Sequence, residues 1–307
     1  MPSRDRDGNT ARLYTGGGEI ECLGGENIGG KPWEVYSART NPFSKPGTNT
    51  YLIGRGPQRI LIDTGEGKRS WITALKSVLE AEKATVNQAL LTHWHHDHVG
   101  GVADLSNLCP EVKIFKHHPT DGEEDIRDGQ VFQVDGATLE AFHTPGHTAD
   151  HMAFVFEEED AIFTGDNVLG HGTAVFENLG VYLASLEKMG AHGARKGYPG
   201  HGPVIEDCKA KIVEYIEHRQ QRENEVLQVL EYGTLDPSKV KKSPECKPTS
   251  WTAMDLVKVI YHDVPENLHL PASNNVTLVL LKLERDGRVS HDQKSDRWTL
   301  SSMRSVL

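Results

Sequence analysis

An α+β fold, with two β-sheets packed between helical layers and a small helical domain after them, is the class the sequence predicts, on three observations. Apolar runs of strand length dominate from about residue 50 to 163; runs with helical spacing flank them; and a stretch rich in Lys, Pro and Ser at 233–249 sets a short helical tail apart. The length of 307 residues suits one large domain and one small one.

The elements follow in order. Residues 1–31 hold glycines at 16–18 and further glycine pairs with little apolar periodicity, so an irregular lead-in is expected. Tyr51-Leu52-Ile53 and Arg59 to Asp63 are short apolar runs separated by Gly-Arg-Gly-Pro, a strand, turn and strand. Trp71, Leu75 and Val78, with Ile72 and Leu79, recur at helical intervals and predict an amphipathic helix from Ser70 to about Ala81. Ala89 to Thr92 reads as a buried strand. Further strands are expected at Lys113–Phe115, Gln130–Val134, Thr138–Phe142, Met152–Phe156 and Ala161–Phe163, and a helix at Leu179–Met189.

A helix from about Asp207 to Tyr232 is polar throughout Glu217 to Glu225, as expected of an element bridging two bodies. A linker then spans 233–249, dividing a catalytic domain at 1–232 from a tail at 250–307. The tail has helices at Ser250–His262 and about Ala272–Arg285, the second with Val276, Val279, Leu280 and Leu283 on one face. Asp286-Gly287 then turns into a wing.

Composition narrows the class. Charged residues are 25% and hydrophobic ones 37%, the balance of a soluble globular chain. No apolar run approaches the roughly 18 residues of a membrane span, and Met1 to Thr10 lacks the apolar core of a secretory signal, which places the chain in the cytosol with no membrane partner. Cys22, Cys109, Cys208 and Cys246 lie far apart, arguing against a disulfide framework or a thiolate metal site and for buried or idle thiols. The net charge of −11 disfavours a nucleic-acid partner.

The chemistry concentrates in histidines and aspartates placed just after strands. His93, His95, Asp97 and His98 follow the strand ending at Thr92, with Gly100-Gly101 behind them. Further Gly-His, Gly-Asp and Gly-His-Gly turns bring His147, Asp166 and His201. Imidazole and carboxylate donors without sulfur suit zinc, iron, manganese or cobalt.

HxHxDH, then Gly-His, Gly-Asp and Gly-His-Gly in that order, resembles the metallo-β-lactamase superfamily across about residues 45–205. The resemblance implies a four-layered αββα sandwich and a hydrolase with two divalent metal ions, zinc first and manganese as the alternative. It implies His93, His95 and His147 on the first ion, Asp97, His98 and His201 on the second, and Asp166 bridging both. Asp97 is also the residue that the pattern marks for proton transfer, and Asp63 matches the position that steadies the metal-binding loop.

More narrowly, His93 to Gly101, Thr144 to Met152, Phe163 to Glu177 and Trp251 to Leu283 resemble the fungal metallo-β-lactamase-type thioesterases. These release aromatic polyketides from the acyl carrier protein of a non-reducing polyketide synthase, sometimes with ring closure. The run Thr40 to Tyr51 departs from the family's pattern, so the loop over the pocket is expected to differ, which leaves the acyl substrate open and the hydrolytic chemistry in place. The tail resembles a winged helix, expected to pack against its own protein rather than bind DNA; in the thioesterase reading it caps the acyl pocket or receives the acidic carrier protein on Lys239, Lys241, Lys242 and Lys247. The rival resemblance is to the animal metallo-β-lactamase-like endoribonuclease, which cuts single-stranded RNA. Asp236 to Leu307 has 11 Lys/Arg against 9 Asp/Glu, so no strongly basic stripe supports it. A non-enzymatic relative would have lost ligand positions, and all seven are filled.

Of the remaining histidines, His96 is expected to point away from the metal by alternation along an extended segment. His117 and His118 are expected on a solvated surface loop, and His171 is a candidate for lining the substrate pocket. Asp150-His151 is open between a supporting role and a strand entry, and Glu157 to Asp160 reads as a solvated turn.

Overall fold

A computed structural model describes residues 47–236, Ser238 and residues 250–301, together with the backbone of short strands before residue 40. Most of the 233–249 linker, its four lysines, and the run 40–46 lie outside the described residues. The chain forms two compact units whose boundary falls inside a long helix, between Val213 and Glu214, with 177–180 grouped in the second unit.

In the first unit, strands β1 (Ser3–Arg4), β2 (Thr10–Thr15) and β3 (Gly18–Leu23) precede β4 (Gly25–Glu26), β5 (Pro32–Trp33) and β6 (Val35–Arg39). The lead-in expected to be irregular therefore carries a hairpin, with Thr15 opposite Gly18. The alternating Ala11 and Leu13 of β2 are too few, between glycine-rich flanks, to register as a strand pattern.

β7 (Thr50–Ile53), β8 (Gln58–Ile62), helix α1 (Arg69–Glu82), β9 (Thr85–Leu91), the one-turn helix α2 (His96–Val99), α3 (Val102–Leu108), β10 (Lys113–Lys116) and β11 (Glu123–Asp125) follow. The first sheet runs β1-β2-β3-β6-β7-β8-β9-β10-β11, parallel from β8 onward. The second sheet has β12 (Val131–Val134), β13 (Ala137–His143), β14 (Met152–Phe156), β15 (Ala161–Gly165) and β16 (Lys196–Pro199), antiparallel except for the β15–β16 pair.

Strand alternation makes the layers. Tyr51, Ile53, Ile60, Ile62 and Leu90 face Phe132, Leu139, Phe154, Phe156 and Phe163 of the second sheet in one core. Leu52, Leu61, Ala89 and Leu91 point the other way, onto Trp71, Leu75, Val78 and Leu79 of α1 and Leu105 of α3. Both faces of β7, β8 and β9 are thus dry, which is why these strands read as unbroken apolar runs. Each buried leucine or isoleucine contributes about 1.5–3 kcal/mol. On the outer side of the second sheet, α4 (Leu179–His192) sets Lys188 over the Phe142 ring at 4.1 Å, and its Ser185 hydroxyl donates to the Pro145 carbonyl at 2.6 Å. The αββα sandwich expected from the resemblance is present.

Two polar segments are less solvated than their composition suggests. Glu159 is buried at the end of a 3-10 turn, where the Tyr198 hydroxyl donates to it at 2.6 Å and Lys196 Nζ at 2.9 Å. Burial holds its carboxyl above the usual value despite these partners. In α5 (Cys208–Tyr232), Arg219 and Glu223 are buried within the polar stretch, and Lys282 Nζ donates to Glu223 Oε2 at 2.8 Å.

The second unit contains α6 (Ala253–Ile260), α7 (His269–Arg285), β17 (Val289–Asp292) and β18 (Arg297–Leu300). Thr252 and Asp255 close a reciprocal cap at the start of α6, fixing where that helix begins. Val276, Val279, Leu280 and Leu283 are buried along α7, and β17 and β18 pair as the wing. No described helix is long and apolar enough to cross a membrane.

Candidate metal centre

The strand ends carry the site. Asp63 directly follows β8, the His93 loop follows β9, the turn leading to His147 follows β13, Asp166 directly follows β15, and His201 lies two residues past β16. Strands from both sheets therefore release their polar residues at one edge of the sandwich, while the apolar residues just before them anchor the backbone in the cores.

Among the described residues, three groups bring ligand atoms within 4.8 Å of one another: His93, His95 and His147; His93, His98 and Asp166; and Asp97, His98 and His201. His95 Nδ1 lies 3.0 Å from both His93 Nε2 and His147 Nε2. His98 Nε2 lies 3.5 Å from Asp97 Oδ2 and 3.5 Å from Asp166 Oδ1, and His201 Nε2 lies 3.2 Å from Asp97 Oδ2. Asp166 reaches both groups, its Oδ2 standing 3.7 Å from His147 Nε2 and 3.2 Å from His201 Nε2. All seven residues singled out in the sequence converge.

The donor set fits a divalent cation. His98 Nε2 and Asp166 Oδ1 are buried with no hydrogen-bond partner, although they face each other and the remaining donors. An orphaned buried polar atom costs about 1–3 kcal/mol. Three imidazole nitrogens crowded together without protons between them repel unless a cation takes their lone pairs, and nitrogen and oxygen donors are what such a cation accepts.

Electrostatics divides the donors in two. Burial first, then neighbouring histidines, hold His93 well below the ordinary imidazole pKa, and His95 below it, so both present lone pairs. On the other side burial opposes protonation, but Asp63 and Asp166 raise His98 well above its ordinary value. Asp166 and Asp97 likewise overcome burial to push His201 up to about 10. Burial works against ionisation of Asp97, but the hydrogen bond with His201 and the charge of His98 hold it below the usual carboxylate range.

A ring of hydrogen bonds fixes the ligands. Asp63, in left-handed backbone at φ 58°, accepts the Thr92 N–H at 2.8 Å and the His98 Nδ1–H at 2.7 Å. Aspartate tolerates that conformation better than most residues. The Thr92 hydroxyl donates to the same carboxylate and lies 2.9 Å from His93 Nδ1, which leaves His93 Nε2 for the site. His147 Nδ1 donates to the Val175 carbonyl at 2.8 Å, presenting its own Nε2. The glycines leave room: a Cβ on Gly200 would stand 2.2 Å from Asp166 Oδ1 and 2.9 Å from His98 Cε1.

Residues undecided from sequence take definite places. His151 is buried, and its Nε2 accepts the Asp166 N–H at 3.1 Å, so it supports the backbone of the shared carboxylate. Asp150 Oδ1 accepts the Thr148 hydroxyl at 2.7 Å, with the buried Lys116 Nζ 3.5 Å from its other oxygen. His171 is exposed, and a Cβ on Gly202 would meet its Nδ1 at 2.4 Å, so it stands beside His201 at the rim. His96 is exposed as expected, but for a different reason: it opens the α2 turn rather than alternating along an extended segment. His118 is exposed, whereas His117 is half-buried and its Nδ1 donates to the Ile126 carbonyl at 2.9 Å, so only one of the pair is simply solvated.

Thr48 also joins the site. Its hydroxyl donates to Asp97 Oδ2 at 3.0 Å and its backbone bridges His201, contacts spanning 49 and 153 positions in the chain. No local spacing signals such a contact.

Residues 45–201 match the family model described as the metallo-beta-lactamase superfamily, and residues 252–298 match the beta-lactamase associated winged helix domain. The chain is 43% identical over 275 residues to a protein named lactamase-like protein aptB from Emericella nidulans, covering 88% of this chain and 87% of that one. It is 45% identical over 269 residues to a protein named atrochrysone carboxyl ACP thioesterase from Aspergillus chevalieri, covering 86% and 85%. A solved beta-lactamase domain protein from Burkholderia ambifaria shares the fold with a TM-score of 0.69 at 16% identity, over 94% of this chain and 93% of that one.

Proposed function

The chain belongs to the metallo-beta-lactamase superfamily, and we propose that this hydrolase releases an aromatic polyketide from the acyl carrier protein of a non-reducing polyketide synthase by cleaving its thioester. The observation that carries the reading is one site in which two ligand groups share Asp166, in a chain 45% identical along most of its length to a protein named as an acyl-carrier-protein thioesterase.

In this reading His93, His95 and His147 would hold one divalent ion and Asp97, His98 and His201 another, with Asp166 available to both; zinc is the first choice and manganese the second. Bound there, such ions would supply Lewis acidity toward a carbonyl oxygen and toward water. Asp97, kept ionised and held by the Thr48 hydroxyl, accepts a proton from the attacking water. The water oxygen bonds to the acyl carbon, the carbon–sulfur bond breaks, and the sulfur leaves as a thiolate that takes up the proton. A thiol of reference pKa near 8.5 needs little further help to depart. Asp63 and His151 keep the donors in place.

Residues 1–232 form the catalytic domain in this proposal and 250–307 the winged-helix tail, in a cytosolic protein. The same donor set would also serve phosphodiester cleavage, but the net charge of −11 opposes an RNA substrate.

The test is hydrolysis of an aromatic polyketide thioester on its carrier protein, beside single-stranded RNA, by metal-loaded protein and by the double variant Asp97→Ala, His98→Ala. Thioester cleavage that the variant loses, with RNA intact, is expected. Cleaved RNA with an untouched thioester overturns the proposal.

A further inference from the structure

Large apolar side chains are exposed beside two of the clustered histidines. Trp94 is 54% exposed although it sits between two buried or half-buried histidines, and its ring meets the His95 ring at 4.5 Å, nearly edge to face. Val175 is 65% exposed, and its carbonyl is the acceptor that orients His147 at 2.8 Å. His95 and His147 touch through their ring nitrogens at 3.0 Å, so Trp94 and Val175 stand on neighbouring ligand residues. The exposed groups beside the other ligands are of another kind: His96 opens the α2 turn and His171 packs beside Gly202.

From this we infer that Trp94 and Val175 form an apolar rim that holds the aromatic acyl group of the substrate against the His95–His147 side of the site, and so select flat aromatic thioesters over small ones. The inference rests on the thioesterase reading and adds to it the residues that choose the acyl chain. The physical grounds are three. Covering an exposed indole is favourable, since removing apolar area from water gains about 25 cal/mol per Å². Its ring is rigid and flat, so a fused aromatic acyl group can stack on it in an offset arrangement with little loss of side-chain entropy. And it stands beside the donors: the Trp94 ring meets the His95 ring at 4.5 Å and is more than half exposed, so an acyl group stacked on it lies next to a clustered ligand. Val175 adds an exposed branched side chain at the residue whose carbonyl orients His147.

The substitutions are Trp94→Ala, Trp94→Phe and Val175→Asp in the full metal-loaded chain, with metal content measured in each. The probes are the 2-naphthoyl and acetyl thioesters of N-acetylcysteamine, and free 2-naphthoate by calorimetric titration. Trp94→Ala and Val175→Asp are expected to lower the naphthoyl-to-acetyl ratio of kcat/KM at least tenfold, chiefly through KM, and to weaken 2-naphthoate binding by a similar factor. Trp94→Phe, which keeps a flat ring, is expected to stay within threefold of the parent. Ratios and naphthoate affinities within twofold of the parent in both truncating variants, at full metal content, would overturn the inference. If the parent cleaves neither thioester, the thioesterase reading fails on that result, while the naphthoate titration still decides whether the rim binds aromatic acids.

Discussion

Asp63 accepts the Nδ1–H of His98 at 2.7 Å, with both side chains buried, and the same carboxylate accepts the Thr92 backbone N–H at 2.8 Å. One group thus sets the rotamer of a clustered imidazole and the path of the chain entering the motif. Supporting groups of this kind, when lost, typically weaken metal affinity ten- to a hundredfold. Asp63→Asn is expected to do so with the far-ultraviolet circular dichroism unchanged, read by competition with a chromophoric chelator. Asp63→Ala should in addition lower stability by about 1–3 kcal/mol, because the Thr92 N–H loses its acceptor. Parent-like metal affinity in both variants would remove Asp63 from this role.

Gly200 offers a test of the site's crowding that removes no donor from the chain. A Cβ there stands 2.2 Å from Asp166 Oδ1, so Gly200→Ala must push the shared carboxylate aside. Metal binding is expected to fall at least tenfold in the titration while the urea midpoint of the metal-free protein moves little. A variant that binds metal like the parent would show that Asp166 can give way freely.

Metal uptake should release protons and weaken in acid. His201, pushed up to about 10 by Asp166 and Asp97 against the effect of burial, holds its proton at pH 7, and a cation coordinates only the neutral imidazole. Titration in weak buffer at pH 7 is expected to acidify the solution, with apparent affinity rising as pH increases toward 10. The same raised pKa stabilises the metal-free fold fully below pH 6.5, a contribution lost as pH rises through about 10. Uptake without proton release would contradict the charge pattern.

Chelation should lower the melting temperature, and either zinc or manganese should restore it, because a ligand that binds only the folded chain stabilises it by mass action. Differential scanning fluorimetry with and without chelator reads this directly. An unchanged transition would mean that the convergent donors do not bind metal under those conditions.

Cys208 is buried, and burial together with Asp207 pushes its thiol up to about 12. At pH 8 it is a neutral thiol, so alkylation by iodoacetamide is expected only after denaturation, as peptide mapping would show. Rapid labelling of Cys208 in folded protein would place it in a more open setting.

The sequence by itself marked many of the strands and helices from residue 50 onward and the seven residues that converge at the site, because each of these signals is local; the hairpin before residue 40 and the short elements α2, α3, β11 and β16 carried no such signal. The apolar runs Tyr51–Ile53 and Ala89–Leu91 are buried on both faces, and each clustered donor sits within a few residues of a strand or turn end where glycines mark the chain's change of direction. Only the tertiary structure decided which groups support that centre. His151 beneath Asp166 and Thr48 against Asp97 depend on strands brought together from distant parts of the chain. Glu159 and Arg219 show the same limit in reverse, since a charged residue in a polar run reads as solvated until packing removes its water. Burial and long-range hydrogen bonding belong to the assembled layers, and no spacing along the chain encodes them.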